Sequence, residues 1–164
     1  VVGVKYTTAR DVAEKVVDLA IAKMSGSPIP SSSNRTPIIG GDIEGIDDFI
    51  NGVTKDAGIN GDVMRHLALT YGTSFSKVLD GTEPKRLAAD TVVTEAEIRH
   101  AVREEMALDL ESIILRRTEL GTAGKPSATC IEACASIVSA ELGWSETRKK
   151  EEIGRIEQFF RTRT

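Results

Sequence analysis

From residue 42 onwards, hydrophobic side chains recur at the three- and four-residue spacing of an amphipathic α-helix. Residues 94–120 show the pattern most clearly and predict two helices in succession. Thr94 and Glu97 have the spacing of a capping box, which marks the start of the first helix. Asp109 is a suitable N-cap for the second. The chain is therefore predicted to be all-α, a multi-helix bundle with irregular or orthogonal packing.

The same periodicity predicts six further helices, over residues 9–24, 43–53, 62–71, 75–79, 127–142 and 146–160. For the helix over residues 62–71, Asp62 is the predicted N-cap and Gly72 is the predicted end. The helix over residues 127–142 has few polar positions and should be the most buried. In the last helix Ser145 is the predicted cap, and the charged run 148–152 is expected to face water.

One charge of opposite sign falls on the apolar side of each helix in residues 94–120. Glu105 lies beside Met106 on the first helix, and Arg117 follows the apolar positions of the second. An unpaired buried charge is costly, so we predict a structural ion pair of Glu105 with Arg117 or Arg116 across a bend near Asp109. The alternative is that Glu105 reaches solvent at the edge of the apolar side.

The amino-terminal part has a different pattern. Residues 1–8 are rich in β-branched side chains and predict a short strand interrupted by Gly3, with a helix following at once. No second strand of similar quality follows, so the extended segment is interpreted as the remnant of an α/β domain whose sheet lies elsewhere. Residues 25–41 are rich in Ser, Pro and Gly and predict a linker. The predicted divisions are 1–24, 25–41 and 42–164.

Charge and cysteine content limit the classes of partner and of site that the chain is expected to have. The 164 residues carry a net charge of −4 with acids and bases interspersed, which argues against nucleic acid or an anionic membrane as a partner. No apolar run approaches the roughly 20 residues that span a bilayer, so no transmembrane segment is predicted. Cys130 and Cys134, four residues apart, are interpreted as reduced packing residues of a cytosolic-type protein, without a metal site.

Candidate chemistry is sparse. The two histidines, His66 and His100, lie in amphipathic helices without a nucleophile or metal motif, and a structural or surface role is predicted for both. No catalytic residues are predicted in residues 42–164. The exception is the amino-terminal segment. Its Gly3, Lys5, Thr7 and Thr8 precede a helix N-terminus, where anions are favoured. An ordinary strand-to-helix turn explains the same residues.

Four segments resemble one known family. Residues 3–10, GVKYTTAR, resemble the G-G-K-x-T-T-Y-R segment of FAD-dependent glycerol-3-phosphate dehydrogenases and oxidases, with Val4 and Ala9 replacing a glycine and the tyrosine. HLALTYGTSFSKVL (66–79) resembles the helix pair of that family. AVREEMALDLESIILRRTELG (101–121) is similar to its R-x-E-M-A…R-R-T-x-L signature, and ELGWSETRKKEEI (141–153) to its closing helices.

The resemblance implies the carboxy-terminal part of such an enzyme, which oxidises sn-glycerol 3-phosphate to dihydroxyacetone phosphate. Residues 1–24 would close the FAD-binding domain, and residues 42–164 would form an accessory helical domain. By the resemblance, Gly3, Thr7 and Thr8 would lie near the flavin, and Lys5 would lie near the flavin or the substrate phosphate. FAD is expected in the full-length parent and not in this chain alone, which is expected to be inactive.

The implied partners are the upstream flavin domain, glycerol 3-phosphate and a quinone or oxygen, and a homodimer is compatible with the resemblance. The implied location is cytoplasmic, with the parent peripheral on the inner face of the cytoplasmic membrane. The alternative interpretation is a stand-alone helical protein-interaction module.

Overall fold

The helices of the chain begin and end close to where its hydrophobic periodicity places them. The computed structural model describes residues 5–27, 29–55 and 60–162, and these described residues contain helices, turns and one isolated bridge between Arg86 and Thr94, with no strand. The all-α prediction is confirmed for them. They divide into two compact units, one up to Asp42 and the other from Ile43 onwards. Each unit is described by itself.

The first unit contains one long helix, α1 (Ala9–Lys23), preceded by a single 3₁₀ turn at Tyr6–Thr8. The strand predicted for residues 1–8 is wrong for this turn, because the amide of Thr8 donates to the Lys5 carbonyl at 3.0 Å and closes it. Residues 1–4, including Gly3, lie outside the described residues. Within 25–41 the described residues form turns and irregular chain, as expected of a linker composition.

Within residues 43–55 and 60–162, the second unit contains seven α-helices: α2 (Ile46–Thr54), α3 (Gly61–Tyr71), α4 (Phe75–Leu79), α5 (Glu95–Arg103), α6 (Leu110–Ser112), α7 (Ala128–Leu142) and α8 (Glu146–Arg161). α6 continues as a π-helical stretch, Ile113–Arg117, in which the Thr118 amide donates to the Ile113 carbonyl at 3.0 Å. The predicted N-caps Thr94, Asp109 and Ser145 each accept a backbone amide. Asp62 is not the cap of α3, since that helix begins one residue earlier.

The second unit has two hydrophobic clusters. The larger fills the space among α5, α6, α7 and α8, and α7 supplies the most residues, as its composition predicts. Its fully enclosed members are Leu87, Val93, Ile98, Ala101, Ala107, Leu110, Ile113, Ile114, Cys130, Ile131, Cys134, Ala135, Val138 and Ile156. The smaller cluster consists of Val63, Leu67 and Val78 from α3 and α4. Both cysteines are free and buried in the larger cluster.

The end of α5 differs from the predicted pattern. The helix stops at Arg103, and Met106 adopts a left-handed backbone with φ 58°, so that the Ala107 amide reaches the Ala101 carbonyl at 3.0 Å. Met106 is therefore 81% exposed instead of inward. A glycine or asparagine normally marks such a position, and its absence is why the helix end is not visible in the sequence.

A second correction concerns α8. Glu152 does not face water: it is 3% exposed, and its Oε2 accepts the backbone amide of Leu110 at 3.1 Å. Leu110 is the first residue of α6, so a carboxylate from α8 satisfies a free amide at that helix N-terminus. This contact between helices distant in sequence positions α6 against α8.

Candidate functional site

The amino-terminal turn brings together three of the predicted cofactor-binding residues. Lys5, Thr7 and Thr8 are all exposed, immediately before the first turn of α1. The Thr8 hydroxyl donates to the Lys5 carbonyl at 3.2 Å, which fixes the turn. The Lys5 ammonium has no ion-pair partner among the residues that the structure describes. An exposed ammonium and exposed hydroxyls are groups that can contact an anionic or polyhydroxyl ligand.

Helix α1, which follows this turn, exposes apolar side chains. Val16, Val17, Leu19 and Met24 are all exposed, and no residue of α1 is buried. Its charges instead form local pairs, Arg10 with Glu14 at 3.0 Å and Lys15 with Asp11 at 2.8 Å. Aliphatic residues spread along one helix are typical of a surface that packs against further protein.

Among the described residues of the second unit, the most buried charged residue is Glu97. Its Oε2 accepts the backbone amide of Thr94 at 2.7 Å and the Thr94 hydroxyl at 2.9 Å, while its own amide donates to that hydroxyl oxygen at 3.2 Å. This is the predicted capping box, and it is confirmed. The carboxylate is only 1% exposed, so the cap lies inside the protein.

The second oxygen of Glu97 binds His66 of α3. His66 Nε2 lies 2.8 Å from Glu97 Oε1, and because a carboxylate only accepts, Nε2 is the donor. His66 Nδ1 faces Glu119 Oε1 at 3.6 Å. Burial pushes the pKa of His66 downwards most strongly, but the bond to Glu97 and the charges of Glu97 and Glu119 together raise it above 6.5. The sequence predicts a structural role for His66 but does not indicate this partner.

Tyr71 and His100 extend the same polar cluster. Their rings meet edge to face with centroids 5.9 Å apart. Burial and the negative charges of Glu97 and Glu105 raise the pKa of Tyr71, so its phenol stays protonated. Thr94 and His66 bind the two oxygens of Glu97, so the carboxylate links α3 to the start of α5. The structural role predicted for His66 and His100 stays a prediction, and their contacts join α3 to α5.

The ion pair predicted in residues 94–120 forms between Glu105 and Arg117, and the two groups are far apart for such a pair. Arg117 Nε lies 3.9 Å from Glu105 Oε2, and both side chains are partly exposed, so neither charge is deeply buried. Arg116 contacts Glu111 instead, at 2.7 Å. A long, partly exposed pair of this kind contributes little stability.

A cleft of about 590 Å³ lies between α4 and α5. Arg99 and Arg103 line it, and both donate to Glu141 of α7, at 3.2 Å and 2.8 Å. The hydrogen bond from Arg103, with a smaller one from Arg99, holds the pKa of Glu141 below its usual range. Both arginines are thus paired with the same carboxylate, and Lys85, which also lines the cleft, pairs with Glu95 at 2.6 Å.

The described residues give no sign of metal or membrane-spanning chemistry. Within residues 5–27, 29–55 and 60–162, no three His, Cys, Asp or Glu side chains are grouped so that they could hold a metal ion. None of the helices in that part of the chain combines the length and apolar character needed to cross a membrane.

The described residues thus define an all-α unit and, before it in the chain, a separate helical segment with exposed apolar side chains. Comparison with known proteins identifies the family. The model for the C-terminal domain of alpha-glycerophosphate oxidase matches residues 31–149, and the chain belongs to that family.

Three relatives illustrate the similarity. A probable mitochondrial glycerol-3-phosphate dehydrogenase of Dictyostelium discoideum is 31% identical over 100% of this chain and 26% of its own length. The mitochondrial glycerol-3-phosphate dehydrogenase of Mus musculus is 29% identical over 97% of this chain and 23% of its own length. The glycerol-3-phosphate dehydrogenase of Mycobacterium leprae is 31% identical over 88% of this chain and 26% of its own length. The chain thus spans about a quarter of each relative.

Proposed function

We propose that this chain is the carboxy-terminal part of an FAD-dependent enzyme that oxidises sn-glycerol 3-phosphate to dihydroxyacetone phosphate. The observation that carries the proposal is the family match over residues 31–149. Relatives about four times as long, named glycerol-3-phosphate dehydrogenases, support it further. The helical unit is accessory to the reaction: it caps the active site, contacts a second subunit or contacts a partner.

The proposed division of the chain assigns residues 1–24 to the end of the flavin domain, 25–41 to a linker and 42–164 to the helical domain. Two features support it. The exposed apolar residues of α1 need a partner surface, which the upstream flavin domain would supply. Residues 25–27 and 29–41 have no regular structure, as a connection between domains requires.

The amino-terminal turn is the proposed contact with the cofactor. The exposed ammonium of Lys5 and the hydroxyls of Thr7 and Thr8 fit a polar edge of FAD or the phosphate of the substrate. Gly3 belongs to the same proposal and lies outside the described residues. When bound, the flavin accepts the hydride of the oxidised alcohol. The residues of this chain would hold and orient the cofactor or the substrate, and Lys5 would offset the negative charge of the substrate phosphate.

The partners of the proposal are the upstream flavin domain, glycerol 3-phosphate and a quinone or oxygen as electron acceptor. A peripheral position on a membrane surface is part of the same proposal, because a quinone acceptor lies in the bilayer. A homodimer is also compatible with an accessory helical domain.

The test uses the full-length protein that contains this chain and compares Lys5→Met with Lys15→Met. Lys15 is also exposed, lies on α1 and pairs only with Asp11, so it is a matched control. We expect Lys5→Met to lower kcat/KM for glycerol 3-phosphate in a dye-reduction assay by about 100-fold, as loss of a charged contact of roughly 3 kcal/mol would do. The control should stay within about twofold of wild type. If the two variants are equally active, the proposed role of Lys5 is wrong. If the wild-type full-length protein does not oxidise glycerol 3-phosphate, the proposed function is wrong.

A further inference from the structure

The second unit is held together at one place by polar side chains. Helices α2, α3 and α4, here called the α2–α4 layer, have their own small cluster of Val63, Leu67 and Val78. The large cluster belongs to α5–α8 and the segment before α5. Two separate hydrophobic clusters mean that the layer can move against the bundle without opening either core.

Helix α4 packs on α5 at this junction, and the polar side-chain contacts across it come from α3. His66 reaches Glu97 of α5 at 2.8 Å, and Tyr71 packs edge to face on His100 of the same helix. Asp62 binds Arg86 in the segment that leads to α5. The His66 side chain is 9% exposed and that of Glu97 1%, so the central contact is shielded from water. A shielded charge contact is stronger than one at the surface, and it is costly when one partner loses its charge.

We propose that His66 and Glu97 form a proton-operated latch that holds the α2–α4 layer on the α5–α8 bundle. With His66 protonated, an imidazolium lies between two carboxylates, Glu97 on one side and Glu119 on the other. With His66 neutral, only the hydrogen bond to Glu97 remains, and Nδ1 no longer attracts Glu119. The latch goes beyond the proposed function and does not depend on it.

The two carboxylates that face His66 favour its protonated form. Glu97 comes from α5 and Glu119 from the segment after the π-helical stretch, and both favour the cation. On α3 itself, Tyr71 is a neutral phenol, and the carboxylate of Asp62 is paired with Arg86. Of the groups next to Tyr71, His100 stacks on its ring, and Glu105 is paired with Arg117. The negative charge on the facing elements therefore outweighs the positive.

The sign of the pH dependence follows from the raised pKa of His66. A histidine whose pKa is higher in the docked state than when free, where it is about 6.5, contributes fully below that value. The contribution is lost as pH rises through the pKa of the docked state. Since α4 packs on α5 and the cleft lies between them, weaker docking at higher pH also opens that cleft.

The experiment is hydrogen–deuterium exchange of the 164-residue chain from about pH 6 to about pH 8.5, followed by mass spectrometry and corrected for the intrinsic pH dependence of exchange. Peptides of α3 are compared with peptides of α7, which belongs to the large cluster. We expect α3 protection to fall with rising pH by up to about tenfold per pH unit across the titration, with α7 unchanged. His66→Gln keeps an N–H donor and removes the titration, so its α3 protection should not vary with pH. The control His100→Gln should keep the wild-type dependence.

Several results would overturn the latch. One is α3 protection that is independent of pH in wild type, or that falls together with α7. Another is a wild-type slope that persists in His66→Gln. If His66→Gln does not fold, the titration of the wild-type His66 imidazole signal by NMR decides: a pKa above about 6.5 supports the latch, and a value at or below it overturns the latch.

Discussion

The contact between α8 and the start of α6 leads to the sharpest stability prediction. Replacing Glu152 by alanine removes the carboxylate that accepts the Leu110 amide at 3.1 Å. That amide is at a buried residue, so water does not readily replace the lost acceptor. Arg155, the other partner of Glu152, has a side chain that is 68% exposed and can be solvated after the substitution.

The expected cost follows from these contacts. A hydrogen bond to a charged group contributes about 1.5–3 kcal/mol, and the buried methylene that alanine lacks contributes about 0.8 kcal/mol. Glu152→Ala should therefore lower the free energy of unfolding by about 2–4 kcal/mol. For a chain of this length each kcal/mol lowers Tm by about 2–4 °C. Urea unfolding followed by circular dichroism measures both the free energy and its denaturant slope.

The neighbouring Glu151 supplies the control. It is exposed, and Glu151→Ala should change the free energy of unfolding by no more than about 0.5 kcal/mol. Glu152→Gln keeps an acceptor for the Leu110 amide and loses the charge. Its loss in free energy of unfolding should therefore lie between those of the two alanine variants, at about 1 kcal/mol. If Glu152→Ala is as stable as Glu151→Ala, the carboxylate does not cap α6 and the assigned contact is refuted.

Three further predictions concern other parts of the second unit. Thr94→Ala removes the capping box and should cost about 1 kcal/mol in urea unfolding, whereas the exposed control Thr73→Ala should be nearly neutral. Burial raises the pKa of Cys130 to about 11 and that of Cys134 above its usual value, so neither thiol should react with a disulfide reagent at neutral pH until the chain is unfolded; rapid reaction of the native chain would contradict this. The lowered pKa of Glu141 means that its stabilisation is present above about pH 4.5 and is lost as pH falls through its folded-state pKa. Acid unfolding of Glu141→Gln should therefore show a shallower loss of stability below that pH than wild type.

Local signals in the sequence account for much of the fold. The hydroxyl of Thr94 and the carboxylate of Glu97 lie three residues apart, and the capping box needs nothing from outside that turn. Asp109 and Ser145 cap their helices for the same reason, and Gly143 ends α7 in a left-handed conformation. Where cause and effect lie within one turn of chain, the sequence is sufficient.

Contacts between distant segments were not predictable. Glu152 lies in a charged run that is typical of a solvated helix face, and only the approach of α6 turns it inward. His66 and Glu97 are 31 residues apart, and the sequence around either residue does not indicate that the two form a hydrogen bond. Met106 leaves the helix because the Ala107 amide turns back to Ala101, without the glycine that signals such a stop. These features depend on packing, which periodicity does not encode.

Bound flavin shows whether this chain is the accessory carboxy-terminal part of an FAD-dependent enzyme. Full-length protein and the 164-residue chain are purified in parallel, and flavin per polypeptide is measured from its visible absorbance. We expect about one flavin per full-length polypeptide and none with the chain alone, since residues of the upstream domain would hold the cofactor. Stoichiometric flavin on the chain alone, or full-length protein without flavin, would contradict it.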